Sequence, residues 1–232
     1  MSELWVDEPA PGLAIAQPKA GHRYTSDAFW LAGFALECWR ESGRLGPARV
    51  LDLGTGSGIV GALLAGQGMH VIGIDARTEW QPYWQRTLSE SRWPGSLALR
   101  HGDVRQPPKG TFDLVVANPP YFPAGAGPTS PDPWRAAART ESSATLAVWW
   151  DAVQAVMDPR GLACFVLPRE RVDEALPPGL RRTRCLSVGA KRAVMRVEHG
   201  TGPPAPVDVA SDDQTAGWYA WVGASNALEP RP

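Results

Sequence analysis

The sequence predicts an α/β fold built on a doubly wound, mostly parallel sheet with an antiparallel edge. Short apolar runs alternate with longer segments whose apolar residues recur at helical spacing, which indicates strand–helix–strand units. The runs are continuously apolar, as in parallel strands that are buried on both faces. With 232 residues, 44% of them apolar and 20% charged, the chain fits one α/β domain of ordinary size.

Each predicted element follows from one of these patterns. Ser26 or Asp27 caps a first helix, because apolar residues follow at helical spacing from Ala28 to Trp39. Helices are predicted over residues 26–40, 59–65, 79–90 and 140–157. Strands are predicted over residues 49–53, 70–75, 97–101, 114–117, 161–167, 182–188, 194–199 and 218–222. The last two strands are predicted to form a hairpin around the Pro-rich segment 200–206.

The ends of the chain are predicted to lie outside this domain. We expect residues 1–24 to be an N-terminal extension, residues 25–223 to be the single domain and residues 224–232 to be a tail. The N-terminus is acidic and lacks the basic start and apolar core of a signal peptide. No apolar stretch approaches the roughly 18 residues of a membrane span. A cytoplasmic protein without membrane contact is therefore expected.

Charge and cysteine content limit the possible partners. A net charge of −1 lacks the excess of Lys and Arg that a nucleic-acid-binding protein usually carries. Residues 181–196, however, hold six basic residues and no acidic ones: Arg181, Arg182, Arg184, Lys191, Arg192 and Arg196. This basic run is either a pair of strands with solvated faces or a phosphate-contacting patch. The three cysteines lie far apart in the sequence, so we expect no metal site.

A glycine-rich turn follows the first predicted strand of the sheet. Its glycines alone also fit a dinucleotide site, because Gly56, Gly58 and Gly61 match the pattern G-x-G-x-x-G. Asp52 decides against a dinucleotide, since a carboxylate about 4 Å from a pyrophosphate would be opposed by roughly 4 kcal/mol at an effective dielectric of 20. S-adenosylmethionine (SAM) has no phosphate and carries two cationic groups. The sequence therefore predicts a SAM site at this turn.

Other residues at strand ends complete the predicted cofactor site. Asp75 ends the second strand, where a carboxylate can bind a ribose diol. Asp103 follows the third strand and could accept a hydrogen bond from the adenine amino group of SAM. The predicted cofactor-binding residues are Asp52, Gly54, Thr55, Gly56, Gly58, Asp75, Asp103 and Asn118.

A second motif, Asn118-Pro119-Pro120-Tyr121, follows the fourth predicted strand. An amino nitrogen attached to a π system is a poor nucleophile because its lone pair is delocalised. The side-chain oxygen of Asn118 and the carbonyl of Pro119 could accept hydrogen bonds from its two N–H groups and so direct the lone pair at a methyl group. Pro119 and Pro120 restrict the backbone and remove two competing donors. Tyr121 and Phe122 offer rings on which a planar substrate can stack.

These motifs together resemble those of a known family. The glycine turn, Asp75, Asp103 and the Asn-Pro-Pro-Tyr motif are similar to those of class I methyltransferases that act on amino nitrogens. Two further segments resemble bacterial tRNA adenine-N6 methyltransferases that modify the anticodon loop of a valine tRNA: residues 17–28 (QPKAGHRYTSDA) and Ala138-Arg139-Thr140-Glu141. The resemblance covers roughly residues 17–200. The helix at 79–90 departs from the family pattern, because it carries Trp80, Tyr83 and Trp84.

The resemblance implies a fold, a reaction and a partner. The fold would be a Rossmann-like sheet of seven strands. The reaction would transfer a methyl group from SAM to the N6 amino group of an adenine turned out of a single-stranded loop, and the partner would be a structured RNA. The catalytic residues would be Asn118, Pro119, Pro120 and Tyr121. The substrate-binding residues would be His22, Arg23, Asp27, Tyr121, Phe122 and Arg139.

Two alternative functions use the same motifs. The first is methylation of another planar amine, such as a release-factor glutamine, an rRNA guanine or a small metabolite. The second is a catalytically silent SAM-binding module that acts through protein or RNA contacts. Intact motifs at both strand ends argue against the second.

Overall fold

A mixed sheet of eight strands forms the centre of the described part of the chain. The computed structural model describes residues 3–19, 23–44, 46–120 and 144–223. The strands are β1 (Leu4–Ala10), β2 (Leu13–Pro18), β3 (Arg49–Leu53), β4 (His70–Asp75), β5 (Ser96–His101), β6 (Phe112–Ala117), β7 (Met157–Pro168), β8 (Leu180–Val188), β9 (Arg192–His199) and β10 (Asp208–Val209). The helices are α1 (Ser26–Glu41), α2 (Ile59–Gly66), α3 (Gln81–Glu90), α4 (Leu146–Val156) and α5 (Asp212–Trp221), with 3-10 turns at Thr78–Trp80 and Arg169–Arg171.

The order of the strands is β10-β8-β9-β7-β6-β3-β4-β5. Strand β9 pairs antiparallel with β7 and β8, whereas the remaining neighbours are parallel. Strands β3 to β9 match the first seven of the eight strands predicted from the sequence and make up the seven strands that the resemblance implies, and β10 adds a two-residue edge. Leu53 at the end of β3 lies opposite Ile74 of β4 and Ala117 of β6. The segments that follow β3, β4 and β6 therefore leave the sheet at the same edge, which confirms the predicted fold class.

The sheet is buried on both faces. On β3, Val50 packs with α1 and α2, whereas Leu51 and Leu53 pack with α4 on the opposite face. Strands β6 and β7 divide their side chains between the two faces in the same way. This two-sided burial explains why the strands are continuously apolar in the sequence.

The N-terminal segment forms a hairpin of β1 and β2. Strand β2 is fastened to α3, because Ala16 N–H donates to Thr87 Oγ1 at 3.0 Å and Ala14 N–H donates to Ser91 Oγ at 2.9 Å. Ala16 also packs with the aromatic residues Trp80, Tyr83 and Trp84. The division of the chain at residues 24 and 223 stays a prediction.

The predicted strand at 218–222 is wrong, because this segment lies mostly in α5. The hydroxyl of Ser211 caps this helix by accepting from Gln214 N–H at 3.1 Å, and Trp218 is fully buried. Aromatic and β-branched residues favour strands, but here packing against α1 decides the conformation. The predicted hairpin around 200–206 is also wrong, since the antiparallel hairpin joins β8 to β9 at 189–191. The helix predicted from 140 begins at Leu146 within the described residues.

A close helix contact joins α1 to α5. A Cβ atom on Gly33 would lie 2.1 Å from Trp218 Cβ and 2.8 Å from Trp218 Cα, so no side chain fits between the helices. Below this contact, Glu37 accepts hydrogen bonds from Trp218 Nε1, from Gln214 Nε2 at 2.9 Å and from Arg184 Nη2 at 2.5 Å. The buried carboxylate therefore ties α1 to both α5 and β8.

The Gly33 contact gives a test of this packing. We expect Gly33→Ala to lower the free energy of unfolding by about 1–3 kcal/mol, because the added methyl group forces the helices apart. Gly217→Ala is the matched control: Gly217 also lies in a helix, but a Cβ there meets nothing within 4 Å. The control should be neutral or gain up to about 1 kcal/mol from helix propensity. Equal stability of the two variants in urea denaturation would contradict the packing described.

Candidate active site

The glycine turn after β3 has a left-handed backbone at three positions. Gly54, Gly56 and Gly58 have φ angles of 65°, 54° and 86°. Side chains are excluded by packing at two of them: a Cβ on Gly54 would lie 2.4 Å from the Trp149 ring, and a Cβ on Gly58 would lie 2.7 Å from Leu99. At Gly56, among the described residues, a Cβ would meet only the Trp80 ring at 3.8 Å, an ordinary contact. Gly56 is therefore where a ligand can approach the backbone of the turn.

Asp52 braces this turn from within the protein. Its Oδ2 atom accepts from Thr55 Oγ1 at 2.5 Å and from Gly61 N–H at 3.1 Å, and the side chain is buried. Burial raises the pKa of Asp52 to about 7, although these two hydrogen bonds oppose the shift. Near neutral pH the carboxyl group therefore exchanges between its protonated and ionised forms. Asp52 therefore carries less than the full negative charge expected from the sequence, and it would oppose a pyrophosphate less strongly than expected.

Gly56 is clamped by two side chains. Its N–H donates to Asp75 Oδ2 at 3.0 Å, and its carbonyl accepts from Trp84 Nε1 at 2.8 Å. The other oxygen of Asp75 accepts from the N–H of Arg77 at 2.9 Å. Sequence reasoning identified Asp75 but missed Trp84. The signal was the aromatic cluster of α3, which stood out as a departure from the family pattern.

Asp103 follows β5 at the same edge of the sheet. It forms a close ion pair with Arg105, whose Nε donates to Asp103 Oδ1 at 2.9 Å. The hydrogen bonds from Arg105 lower the pKa of Asp103, so the carboxylate stays ionised and remains an acceptor. Its contact with an adenine amino group stays a prediction.

The segment Asn118–Pro120 leaves β6 beside β7. Pro119 is buried and Asn118 is half-buried, while Ala117 lies opposite Phe165 of β7. Nη1 of Arg171 lies 3.5 Å from the Pro120 carbonyl oxygen, at the limit of a hydrogen bond. The sequence carries no signal for this contact, because Arg171 lies 51 residues further along the chain.

Arg171 is itself held in place from the other side. Its Nε donates to Glu174 Oε1 at 2.5 Å and its Nη2 donates to Glu174 Oε2 at 3.0 Å. The guanidinium is buried against this carboxylate. It therefore fastens the 3-10 turn at Arg169–Arg171 to the end of the Asn-Pro-Pro segment.

Two of the predicted substrate-binding residues are described. The Arg23 guanidinium lies over the Trp5 ring, 5.1 Å from its centroid. Asp27 accepts from Arg192 Nε at 3.1 Å. Because Arg192 begins β9 opposite Pro168 at the end of β7, Asp27 lies at the same edge of the sheet as Asn118. The other predicted residues, His22, Tyr121, Phe122 and Arg139, lie outside the described residues.

Most side chains of the basic run form hydrogen bonds or ion pairs with groups of the protein itself. Arg182 is buried and its Nε donates to the Ala205 carbonyl at 3.0 Å. Arg184 pairs with Glu37 and Glu41, and Arg196 Nε donates to Thr183 Oγ1 at 2.9 Å. For Arg182, Arg184 and Arg196, the structure favours structural strand residues over a phosphate patch.

The described residues contain neither a metal site nor a membrane-spanning helix. No group of three His, Cys, Asp or Glu side chains among them lies where it could hold a metal ion. No helix in the described ranges is long and apolar enough to cross a membrane.

The fold matches that of known methyltransferases. Residues 50–126, which span the glycine turn and Asn118, match the family described as a methyltransferase domain. A ribosomal protein methylase from Lactobacillus delbrueckii superposes with a TM-score of 0.54 at 18% identity, over 74% of this chain and 78% of that one. A glycopeptide N-methyltransferase gives a TM-score of 0.50 at 13% identity, over 73% of this chain and 90% of that one. The fold is therefore that of a Rossmann-like methyltransferase.

Relatives with a higher sequence identity than these solved structures share one name. The chain is 33% identical over 133 residues to the tRNA1(Val) (adenine(37)-N6)-methyltransferase of Aeromonas salmonicida, covering 55% of each chain. It is 31% identical over 140 residues to the protein of the same name from Erwinia tasmaniensis, covering 58% of this chain and 56% of that one. The chain thus spans just over half the length of these curated relatives. The resemblance to these methyltransferases is confirmed over the matched part of the chain, whereas the role of the Asn-Pro-Pro-Tyr motif stays a prediction.

The raised pKa of Asp52 predicts a dependence of stability on pH. In the native state this group binds a proton more tightly than its ordinary pKa of 3.8 allows, so its contribution to stability is lost as pH rises through about 7. Asp52→Asn cannot ionise, and its amide oxygen can still accept from Thr55 and Gly61. We therefore expect the wild type to lose stability relative to Asp52→Asn between pH 5.5 and pH 8.5 in denaturant titrations. A difference that stays constant across this range would contradict the buried, shifted carboxyl group.

Proposed function

We propose that this protein is a SAM-dependent N-methyltransferase that modifies the N6 amino group of an unpaired adenine in tRNA. One observation carries the proposal. The glycine turn follows β3 and the Asn118–Pro120 segment follows β6, and these strands are parallel neighbours with Leu53 opposite Ala117. A cofactor held at the turn and an acceptor held at Asn118 would therefore meet at one edge of the sheet.

The residues at the turn fit SAM. Gly56 is open to a ligand. Asp75 ends β4 and Asp103 follows the adjacent parallel strand β5, in the order expected for a ribose and an adenine. The bound cofactor would supply an electrophilic methyl group on a sulfonium. We assign Asp52 and Thr55 to bracing the turn, because their side chains bond to each other beneath it.

The Asn118–Pro120 segment would hold the acceptor nitrogen. The side-chain oxygen of Asn118 and the carbonyl of Pro119 would accept hydrogen bonds from its two N–H groups and so direct the lone pair toward the methyl group. Neither proline has an N–H that could compete for these acceptors. Arg171 would keep the end of the segment in place through the Pro120 carbonyl.

The names of the relatives favour tRNA as the acceptor, since several bacterial proteins of about 30% identity are named tRNA adenine-N6-methyltransferases. The site itself suits any planar amine. We therefore infer that the acceptor is tRNA, and that the protein is cytoplasmic, from these names and from the motifs around His22 and Arg139. Tyr121 and Phe122 would stack on the base.

The cofactor assignment predicts a specific loss of affinity. Asp75→Ala should weaken SAM binding by about 1–3 kcal/mol, because it removes a charged acceptor that also holds Gly56. Asp113→Ala is the matched control: Asp113 also accepts a backbone N–H, from Arg49 at 2.8 Å, but at the amino-terminal edge of the sheet. Calorimetry should show normal SAM affinity for the control. Wild-type protein that binds NAD and ignores SAM would overturn the assignment.

The acceptor is identified by label transfer. The protein is incubated with methyl-labelled SAM and separate pools of tRNA, rRNA, DNA and protein, and the labelled nucleoside or residue is identified. We expect N6-methyladenosine in tRNA with the wild type and no product with Asn118→Ala. SAM affinity should be nearly unchanged in this variant, because Asn118 acts mainly on the acceptor nitrogen. Label found only in protein or another RNA would mean that the acceptor is a different planar amine. An active Asn118→Ala variant would mean that the motif is a turn without a catalytic role.

A further inference from the structure

Two exposed cations lie next to the Asn118–Pro120 segment. Arg169 directly follows β7 and Lys191 directly precedes β9, and the N–H of Arg169 donates to the Lys191 carbonyl at 3.0 Å. The pairing of Pro168 with Arg192 places both residues at the carboxyl-terminal edge of the parallel strands. This is the edge at which Asn118 leaves β6.

Both cations lie within two strands of β6 across the sheet. Strand β7 is the direct neighbour of β6, and β9 is the next strand, so the two cations are roughly 5 and 10 Å from the line of β6. Arg169 also shares its 3-10 turn with Arg171, which reaches the Pro120 carbonyl. The position of Arg169 relative to the Asn-Pro-Pro segment is therefore fixed by a side-chain contact as well as by the sheet.

The two side chains differ from most of the other cations of β8 and β9. Within the described residues, neither Arg169 nor Lys191 forms an ion pair or a side-chain hydrogen bond, and both are exposed. Arg182, Arg184 and Arg192, by contrast, pair with Asp173, Glu37 and Asp27. Glu170 is the exposed acidic residue of the same turn. Among the described residues of this 3-10 turn and of the turn between β8 and β9, the exposed charges without an ion pair are thus Arg169, Lys191 and Glu170.

We propose that Arg169 and Lys191 form a phosphate-contacting surface for the RNA strand whose base enters the site at Asn118. This inference rests on the function proposed above. An adenine turned out of a loop carries a phosphate on each side, and its planar base alone gives limited affinity. Cations without protein partners can release counterions from those phosphates, which strengthens binding at low salt. The surface thus replaces the run 181–196 as the electrostatic contact, with Lys191 as the one residue common to both.

The test compares two double variants on an unmodified valine tRNA transcript. Arg169→Gln with Lys191→Gln removes the surface. Lys109→Gln with Arg160→Gln is the matched control, because both residues are exposed cations near the amino-terminal ends of β6 and β7. The dissociation constant of each is measured over a salt series. We expect the slope of log K against log salt to fall by roughly 1.4 in the first variant, at about 0.7 for each single-strand phosphate that is no longer neutralised, and to stay near the wild-type value in the control.

Three further readouts separate this role from structural damage. The first variant should raise KM for tRNA with kcat and SAM affinity near wild type, and Glu170→Gln should tighten tRNA binding. If the wild type methylates tRNA and both double variants share its salt slope, the proposed role of this surface is wrong while the proposed function stands. If the wild type binds SAM but neither binds nor methylates tRNA, the proposed function fails and this inference falls with it.

Discussion

The candidate site depends on the hydrogen bonds that hold the backbone of the glycine turn after β3. Asp52 supports the turn from inside through Thr55 and Gly61, and Asp75 and Trp84 hold the N–H and carbonyl of Gly56. Removal of one partner would leave a buried polar group without its hydrogen bond, which costs about 1–3 kcal/mol. The turn is therefore formed before any ligand binds, and the ordering of a flexible loop need not accompany binding.

The three glycines of the turn serve different purposes. Gly54 and Gly58 make room for Trp149 and Leu99, which anchor the turn to α4 and β5. Gly56 instead faces space that a ligand can use, with the Trp80 ring as one wall. The aromatic residues by which this chain departs from the pattern of the methyltransferases it resembles thus form part of the turn's support. A ligand at Gly56 would be bordered by indole rings.

Ion pairs within the protein decide which charges remain available to a ligand. On the α1 side of the sheet, the carboxylates of Glu37 and Glu41 pair with Arg184, and Glu37 also bonds to α5. These pairs engage Arg184, which belongs to the basic run 181–196. Two exposed cations without such partners among the described residues lie at the ends of β7 and β9, beside the Asn-Pro-Pro segment. The basic character that matters for a ligand is therefore local, which is compatible with a net charge of −1.

Local sequence patterns determined the strands and helices that build the site. Continuous apolar runs placed β3, β4 and β6 to within about two residues, because strands buried on both faces leave no polar alternation. The glycines and carboxylates at the ends of these runs located the turn. What only the tertiary structure decided are contacts between distant segments: α5 instead of a strand at 218, Trp84 on Gly56, Arg171 on Pro120, and the pairing of the basic run. Such contacts depend on which surfaces the fold brings together, and no local pattern encodes a partner that lies tens of residues away.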